Sequence, residues 1–317
     1  MTDLVILCAV LALAAIVLTL GGLLLFVLGI LLLPVALVMI VVVWIIEWHG
    51  VALVRRRFGK LEMPIVTLRE KNTGRLVRLV GVVHIAEAAY WKKLCALIDR
   101  YPRSAVLFES ISKVSEEEKL LLTERERTVA KQLSEISSAM TEMGELMGLT
   151  FQKNGLPYPP HWIRTDMSGL DFIRAISAAT EEKDTFFIAP KWTNEDKPII
   201  HWVLRKAIGH MPLFSLFSRK WKKQTKVQTV IIELRNVIAC EAIVKYQEQG
   251  DVISVWGGGH IPGMLHLLLQ AGYEVIDTDW YDVIDGTSYS LADVIRDMKK
   301  HQDQEKKSSV PEKTAPE

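Results

Sequence analysis

The chain has 317 residues, of which 50% are hydrophobic, and its 38 basic and 37 acidic side chains leave a formal net charge of +1. This length and apolar content suffice for one large folded core together with a membrane anchor. The near-zero charge and the lack of a recognition motif argue against nucleic-acid binding. Cys8, Cys95 and Cys240 show neither zinc-ligand spacing nor a pairing pattern, so we expect a reducing compartment.

Residues 1–50 are predicted to form a transmembrane hairpin. No charged side chain occurs between Leu4 and Ile46, and one helical span needs only about 20 apolar residues, so the segment is long enough for two spans. Gly21 and Gly22 provide the connection, and a re-entrant hairpin is the alternative. A cleaved signal peptide is disfavoured because the apolar run is too long and lacks a basic start.

The charges that flank this segment predict its orientation. No Lys or Arg precedes the apolar segment. Four basic residues follow it: Arg55, Arg56, Arg57 and Lys60. By the positive-inside rule, we expect an integral protein of the cell membrane whose soluble domain faces the cytoplasm. The lipid bilayer is therefore the first predicted partner.

Residues 51–295 are predicted to form an α/β domain with a mixed sheet and flanking helices, because short β-branched runs alternate with helical periodicity. The predicted strands are Ile65–Arg69, Leu76–His84, Ala105–Ser110, Trp162–Asp166, Val252–Trp256 and Glu274–Asp279. The predicted helices are Ala86–Asp99, Glu116–Met147, Gly169–Ala178, Val227–Gln247 and Pro262–Ala271. Residues 296–317 have few apolar anchors, which predicts a disordered tail.

Two Gly-x-x-His motifs occupy similar places in this pattern. Gly81-Val-Val-His84 and Gly257-Gly-Gly-His260 each follow an apolar strand and precede the start of a helix. A glycine at a strand end lets a ligand approach the backbone, and the histidine can then act as a ligand or as an acid and base. The alternative is that both histidines are satisfied core residues.

Two carboxylates end neighbouring predicted strands. Glu109 interrupts an apolar run in which an unpaired charge would be costly, and Asp166 ends Trp162–Asp166 in the same way. Two histidines and Glu109 would form a divalent-metal site with a position open for water, with Asp166 as a further ligand or an outer partner. The alternatives are a metal-free site in which Glu109 and a histidine deprotonate water, or a Glu109 that only pairs with an arginine.

These motifs, together with Phe108-Glu109, Glu233-Leu-Arg-Asn236 and the continuation to Gly263, resemble the TraB/PrgY/GumN family over about Ile65 to Asp285. The resemblance implies a fold like those of erythromycin-esterase-like (EreA-type) and ChaN-like proteins and of the TIKI metalloproteases. It also implies that His84, Glu109 and His260 share one cleft, faced by Arg235 and Asn236 from a helix.

One departure from the family pattern concerns that helix. The family commonly has Glu directly before Arg-Asn, whereas Leu234 stands there in this chain and Glu233 lies one residue earlier. One position along a helix turns a side chain by about 100°. We therefore expect Glu233 to point away from the site.

The predicted function is that of a membrane-anchored hydrolase, specifically a metal-dependent peptidase using Mn²⁺, Co²⁺ or Zn²⁺ and acting on a peptide. His84, Glu109 and His260 would bind the metal or activate water, and Arg235 would hold a substrate carboxylate or oxyanion or else pair with Glu109. Gly257, Gly258 and Gly259 leave room for a substrate backbone, with no phosphate-loop spacing. The alternative is a non-catalytic membrane protein that binds a peptide, a signalling molecule or haem in the same cleft. The sequence gives no indication of oligomeric state.

The segment between Lys191 and Lys226 alternates aromatic and basic residues, which is typical of contact with a lipid surface. Its members are Trp192, Trp202, Arg205, Lys206, Phe214, Phe217, Arg219, Lys220, Trp221, Lys222 and Lys223. The alternative is an amphipathic helix that packs on the sheet with a solvated basic edge.

Overall fold

The computed structural model describes residues 54–180, 197–209 and 226–308. The predicted hairpin in residues 1–50 lies outside these ranges, and so do Arg219, Lys220, Lys222 and Lys223 of the predicted lipid-contact segment. Among the helices in the described ranges, none has the length and apolar content needed to span a bilayer.

The described domain is an α/β structure, as predicted. The strands are β1 (Arg55–Arg57), β2 (Lys60–Glu70), β3 (Leu76–Val82), β4 (Ile85–Ala86), β5 (Ala105–Phe108), β6 (Thr150–Phe151), β7 (Ile163–Arg164), β8 (Val252–Gly257) and β9 (Tyr273–Asp285). The helices are α1 (Ala88–Ile98), α2 (Glu116–Leu120), α3 (Glu124–Leu146), α4 (Gln152–Gly155), α5 (Gly169–Ala179), α6 (Lys197–Gly209), α7 (Lys226–Gln228), α8 (Arg235–Gln247), α9 (Ile261–Gln270) and α10 (Leu291–Ser308). A π-helical segment, Thr229–Leu234, joins α7 to α8.

The main sheet is mixed, as predicted, and contains seven strands. Its parallel part has the order β3-β8-β5-β7. On its other side β2 pairs antiparallel with β3, β1 and, along its whole length, β9. The short strands β4 and β6 form a separate antiparallel pair. Because β3, β8, β5 and β7 run the same way, their carboxyl ends share one edge of the sheet.

Apolar residues cover both faces of the parallel strands. Along β8, Ile253 and Val255 belong to the core under α1, whereas Val252 and Trp256 belong to the core under α8 and α9. Successive side chains of a strand point to opposite faces, so a continuous apolar run is what a strand buried on both sides requires. A third apolar cluster lies between α3 and α5 and contains Phe172 and Ile176.

Two capping boxes divide the predicted helical stretch Glu116–Met147 into α2 and α3. Ser115 and Glu118 cap the first helix reciprocally, and Thr123 and Glu126 cap the second. Each box satisfies backbone N–H groups that a helix start leaves without partners. The second box, which begins inside the predicted helical stretch, is the local reason for the break.

The carboxyl-terminal region differs from the prediction, because α10 continues to Ser308 and thus runs into the segment predicted to be disordered. Local polar contacts support its first turns. Ser290 accepts a hydrogen bond from the Asp293 N–H, and the Tyr289 hydroxyl donates to Asp297 at 2.7 Å. Arg296 also pairs with Asp293. A polar helix of this kind depends on caps and ion pairs more than on an apolar face.

Arg205 and Lys206, which belong to the segment predicted either to contact lipid or to pack on the sheet, make internal contacts. Arg205 is buried, and its guanidinium donates to the Met147 carbonyl and to Glu87, both at 2.9 Å. Lys206 donates to the Gly286 carbonyl at 2.7 Å. These two residues therefore fix α6 to the domain, which favours the alternative of a packed amphipathic helix for this part of the segment.

Candidate functional site

The predicted site residues lie at the carboxyl edge of the four parallel strands. His84 follows β3, Glu109 follows β5 directly, Asp166 follows β7, and Gly257 ends β8 just before His260. In α/β sheets this edge is where ligands bind, because the loops there are free to differ while the strands hold them in place. The topology thus gathers residues that are up to 176 positions apart (260 − 84).

Arg235, the first residue of α8, links three of these strand ends. Its Nε and one terminal nitrogen donate to the two Asp166 oxygens at 2.9 and 2.6 Å, and the same terminal nitrogen donates to Glu109 Oε1 at 2.6 Å. Its other terminal nitrogen lies 3.2 Å from the Ile231 carbonyl oxygen and 3.3 Å from His260 Nε2. All five N–H groups of the guanidinium therefore have acceptors. Arg235 was expected either to hold a substrate group or to pair with Glu109, and the ion pair with Glu109 is the contact observed.

The π-helical segment before Arg235 supplies one of these acceptors. In a regular α-helix the Ile231 carbonyl would accept the backbone N–H of Arg235, four residues later. Here that N–H donates to the Ile232 carbonyl instead, and the side chain of Arg235 reaches Ile231. Glu233, in the same segment, is exposed and lies away from the cluster, as predicted. π-Helical turns occur preferentially at functional sites.

His260 is held in one orientation by Asn236, its neighbour from α8. The distance from His260 Nδ1 to Asn236 Oδ1 is 2.8 Å. In the neutral imidazole, a hydrogen on Nδ1 satisfies this contact and leaves the Nε2 lone pair directed at Arg235, whose N–H donates to it. Gly263 makes the arrangement possible, because a Cβ there would lie 2.1 Å from Asn236 Nδ2.

The carboxylate of Glu109 is buried and ionised. Burial alone would raise its pKa, but the neighbouring His260 imidazole and the charge of Arg235 outweigh burial and hold the pKa well below its usual range. The backbone N–H of Gly257 adds to this effect by donating to Oε2 at 2.5 Å. The aromatic rings of Phe172 and Trp256 lie 5.7 and 5.5 Å from the guanidinium carbon, so the ion pair has apolar walls that weaken solvent screening.

His84 is separate from this cluster. It is exposed, and among the described residues no hydrogen bond joins it to Glu109, Asp166 or His260. Gln152 instead holds it twice: the Gln152 N–H donates to the His84 carbonyl at 2.6 Å, and Gln152 Oε1 lies 3.2 Å from His84 Nδ1. Each of the two motif histidines thus has Nδ1 against a side-chain amide oxygen.

Gln152 and Tyr158 are site residues that the sequence did not reveal. Burial raises the pKa of the Tyr158 hydroxyl, a hydrogen bond with Gln152 opposes this, and the charge of Glu109 raises the pKa further. Tyr158 therefore interacts with Gln152 and with the charge of Glu109, and it has a positive φ of 41°. A non-glycine residue at positive φ is uncommon and often marks a constrained site, but the sequence Pro157-Tyr-Pro does not reveal it.

The three glycines of the second motif have different roles. Gly257 donates its N–H to Glu109, and Gly258 donates to the Val82 carbonyl at 2.7 Å. Only Gly259 retains open space, because a Cβ there would meet no atom closer than 3.9 Å. Its N–H has no hydrogen-bond partner within the described part of the chain.

The predicted metal set of His84, Glu109, His260 and Asp166 does not fit a metal ion in this arrangement. In the described ranges no three His, Cys, Asp or Glu side chains are placed to hold one. Both Asp166 oxygens bind Arg235, and the two Glu109 oxygens bind Arg235 and Gly257. We therefore assign no chemical step to a metal.

Comparison of the chain with models of protein families gave no match, and comparison with curated proteins gave none either.

Glu109 should make the free energy of unfolding depend on pH in the acidic range. Its carboxyl has a lowered pKa in the fold, so its stabilising effect is complete above the usual value of 4.5 and is lost as the pH falls toward the lower folded value. Below pH 4.5 the free energy of unfolding should fall with a slope approaching about 1.4 kcal/mol per pH unit from this group. Urea unfolding of wild type and Glu109→Gln from pH 6 to pH 3 measures this. The slope should decrease in Glu109→Gln and not in the exposed control Glu142→Gln; equal slopes in all three proteins would contradict it.

Proposed function

We propose that the chain is a membrane-anchored hydrolase that cleaves peptide bonds at the carboxyl edge of the sheet. The observation that supports this best is the matched setting of the two histidines. His84 has Nδ1 against Gln152 at 3.2 Å, and His260 has Nδ1 against Asn236 at 2.8 Å. A partner at Nδ1 fixes the tautomer and leaves Nε2 as the basic atom, the arrangement that a histidine base requires.

His84 is the proposed general base. It is exposed, and in the described structure its Nε2 has no protein partner, so a water and a substrate can reach it. Glu109 is a weaker choice for this role, because its lowered pKa makes it a poor acceptor of protons. Instead, Glu109 and Asp166 share a single guanidinium and so contribute one excess negative charge when both are ionised. That charge favours the positive imidazolium that forms when water is deprotonated.

Gly259 is the proposed contact for the scissile carbonyl group. Its backbone N–H is free in the described structure, and the space beside it is open to a substrate backbone. It also lies two residues before α9, whose first turn adds positive electrostatic potential. A donor placed there stabilises the oxyanion that develops during attack by water.

Three broader parts of the proposal rest on the sequence. Membership of the TraB/PrgY/GumN family rests on the Gly-x-x-His pair and the residues around Glu109 and Arg235, and a peptide substrate is what that resemblance implies. Anchoring by residues 1–50, with a cytoplasmic domain, rests on the apolar run and the basic residues after it. Dependence on Mn²⁺, Co²⁺ or Zn²⁺ rests on the two motif histidines and Glu109 in the sequence, and chelation of the purified protein tests it.

A binding protein is the second candidate function, and the saturation of Arg235 favours it. Every guanidinium N–H has an acceptor, and the side chains of Glu109 and His260 are only 9% and 5% exposed. Because its polar groups are buried and already hydrogen-bonded, this cluster is better suited to stabilising a binding site than to reacting with a substrate. The exposed His84 would then offer Nε2 to a peptide, a signalling molecule or haem.

The hydrolase is tested with the full chain in detergent and a library of quenched fluorescent peptides. His84→Ala should lower turnover by about 10² or more, because a general base contributes that much. Glu109→Gln should also lower it, whereas His266→Ala, at an exposed histidine of α9, should leave it unchanged. Chelation that abolishes turnover, with recovery on addition of Mn²⁺ or Co²⁺, would establish the metal-dependent version. Stoichiometric peptide capture without product, equal in wild type and Glu109→Gln, would instead establish the binding protein.

Gly259→Val tests the proposed carbonyl contact. The new side chain meets no protein atom closer than 3.9 Å at its Cβ, so the fold should be retained while the approach of substrate is blocked. Turnover should fall by about 10² with an unchanged melting temperature, because the valine side chain keeps the substrate carbonyl away from the backbone N–H, and loss of one oxyanion contact has an effect of that order. Gly250→Val is the matched control, since its nearest atom is also at 3.9 Å and it lies outside the site. Equal turnover of the two variants would remove Gly259 from the mechanism.

A further inference from the structure

An apolar groove lies beside the Arg235 cluster, and the proposed hydrolysis makes no use of it. The groove has a volume of about 860 Å³ and lies between α3, α5 and the loop that follows β5. Most of its walls are apolar, with Leu122, Ala130, Leu133, Phe172 and Ile173 among them. A volume of this size is typical of sites for small organic ligands.

The charges that line the groove are all positive. Lys113, Lys119 and Arg127 lie along it, and Lys119 is paired with Glu116 at 2.7 Å. No ion pair is found for Lys113 or Arg127 within the described part of the chain, and both are exposed. Three serine hydroxyls add hydrogen-bonding groups: Ser112, Ser134 and Ser137. The groove therefore combines apolar walls with two cations that pair with no acidic side chain among the residues the structure describes.

Exposed apolar side chains extend this surface. Leu120 and Leu121 are 79% and 65% exposed, and they stand between Lys119 and Leu122, which both line the groove. At the other end, Phe172 lines the groove and also lies against the guanidinium of Arg235. The groove thus reaches from an open apolar margin to the aromatic wall of the ion cluster.

We propose that this groove binds a long-chain fatty acid, with the alkyl chain along the apolar walls and the carboxylate at Lys113 and Arg127. Burial of methylene groups supplies the affinity, since each one removed from water is favourable. The positive charges of Lys113 and Arg127 select an anionic head group over a neutral or cationic one. This binding is independent of hydrolysis and does not require any residue of the Arg235 cluster to move.

The test is photo-crosslinking of the full chain with a diazirine analogue of palmitate, with the labelled peptides identified by mass spectrometry. Labelling should fall within residues 111–137 and 169–173. Palmitate should compete, whereas hexadecylamine should compete at least about tenfold less well, because the rim is cationic. An acidic apolar peptide should compete no better than the amine.

Two variants and two matched controls complete the experiment. Ala130→Trp fills the groove and should reduce labelling by about tenfold, and Arg127→Glu should reduce it by about fivefold through charge reversal. Ala178→Trp and Lys131→Glu alter exposed positions outside the groove and should leave labelling unchanged. Labelling elsewhere, equal labelling of Arg127→Glu and Lys131→Glu, or equal competition by the amine would overturn the proposal, whatever the hydrolytic activity of the preparation. Stronger competition by the peptide would replace the fatty acid with a protein ligand.

Discussion

A single buried guanidinium holds the candidate site together. Arg235 contacts the residues that follow β5 and β7 and the histidine that follows β8, so it joins three strand ends that are remote from one another along the chain. Glu109 and Asp166 have side chains that are 9% and 0% exposed, and buried acidic groups of this kind are costly unless a cation pairs with them, as Arg235 does. The same requirement explains why the chain departs from regular α-helical geometry just before Arg235, where the π-helical segment releases a carbonyl for the guanidinium.

The ion cluster also determines which residue can perform acid and base chemistry. Glu109 is kept ionised by His260, Arg235 and the Gly257 N–H, and its lowered pKa makes it an electrostatic group more than a proton acceptor. A histidine is therefore the better candidate for the general base, and of the two motif histidines only His84 is exposed. Both are oriented by amides, which have no charge of their own and do not titrate. In this arrangement a buried ion cluster and an exposed imidazole both follow the carboxyl ends of parallel strands.

Much of the fold and part of the site could be predicted from the sequence, because those features depend on local patterns or on one strong physical demand. Apolar runs between helical segments predicted the mixed sheet, and a carboxylate ending such a run, as Glu109 does, predicted a compensating partner. What could not be predicted depends on contacts between distant segments. Nothing local marks Gln152 as the partner of His84 or places Tyr158 near Glu109. Arg205 and Lys206 belong to a basic, aromatic pattern, yet carbonyl groups from distant loops accept their hydrogen bonds. The extent of α10 was missed because its support comes from caps and ion pairs and not from an apolar stripe.

The central claim is that Arg235 couples energetically to the carboxylates around it, and a double-mutant cycle measures this most directly. The cycle compares the free energies of unfolding of wild type, Arg235→Gln, Asp166→Asn and the double variant of the full chain. Because removal of either partner leaves a buried group unpaired, the account predicts a coupling energy of about 2 kcal/mol or more, with the double variant less destabilised than the sum of the single ones. Additivity within about 0.5 kcal/mol would contradict it, since it would mean that the two side chains do not form a buried ion pair.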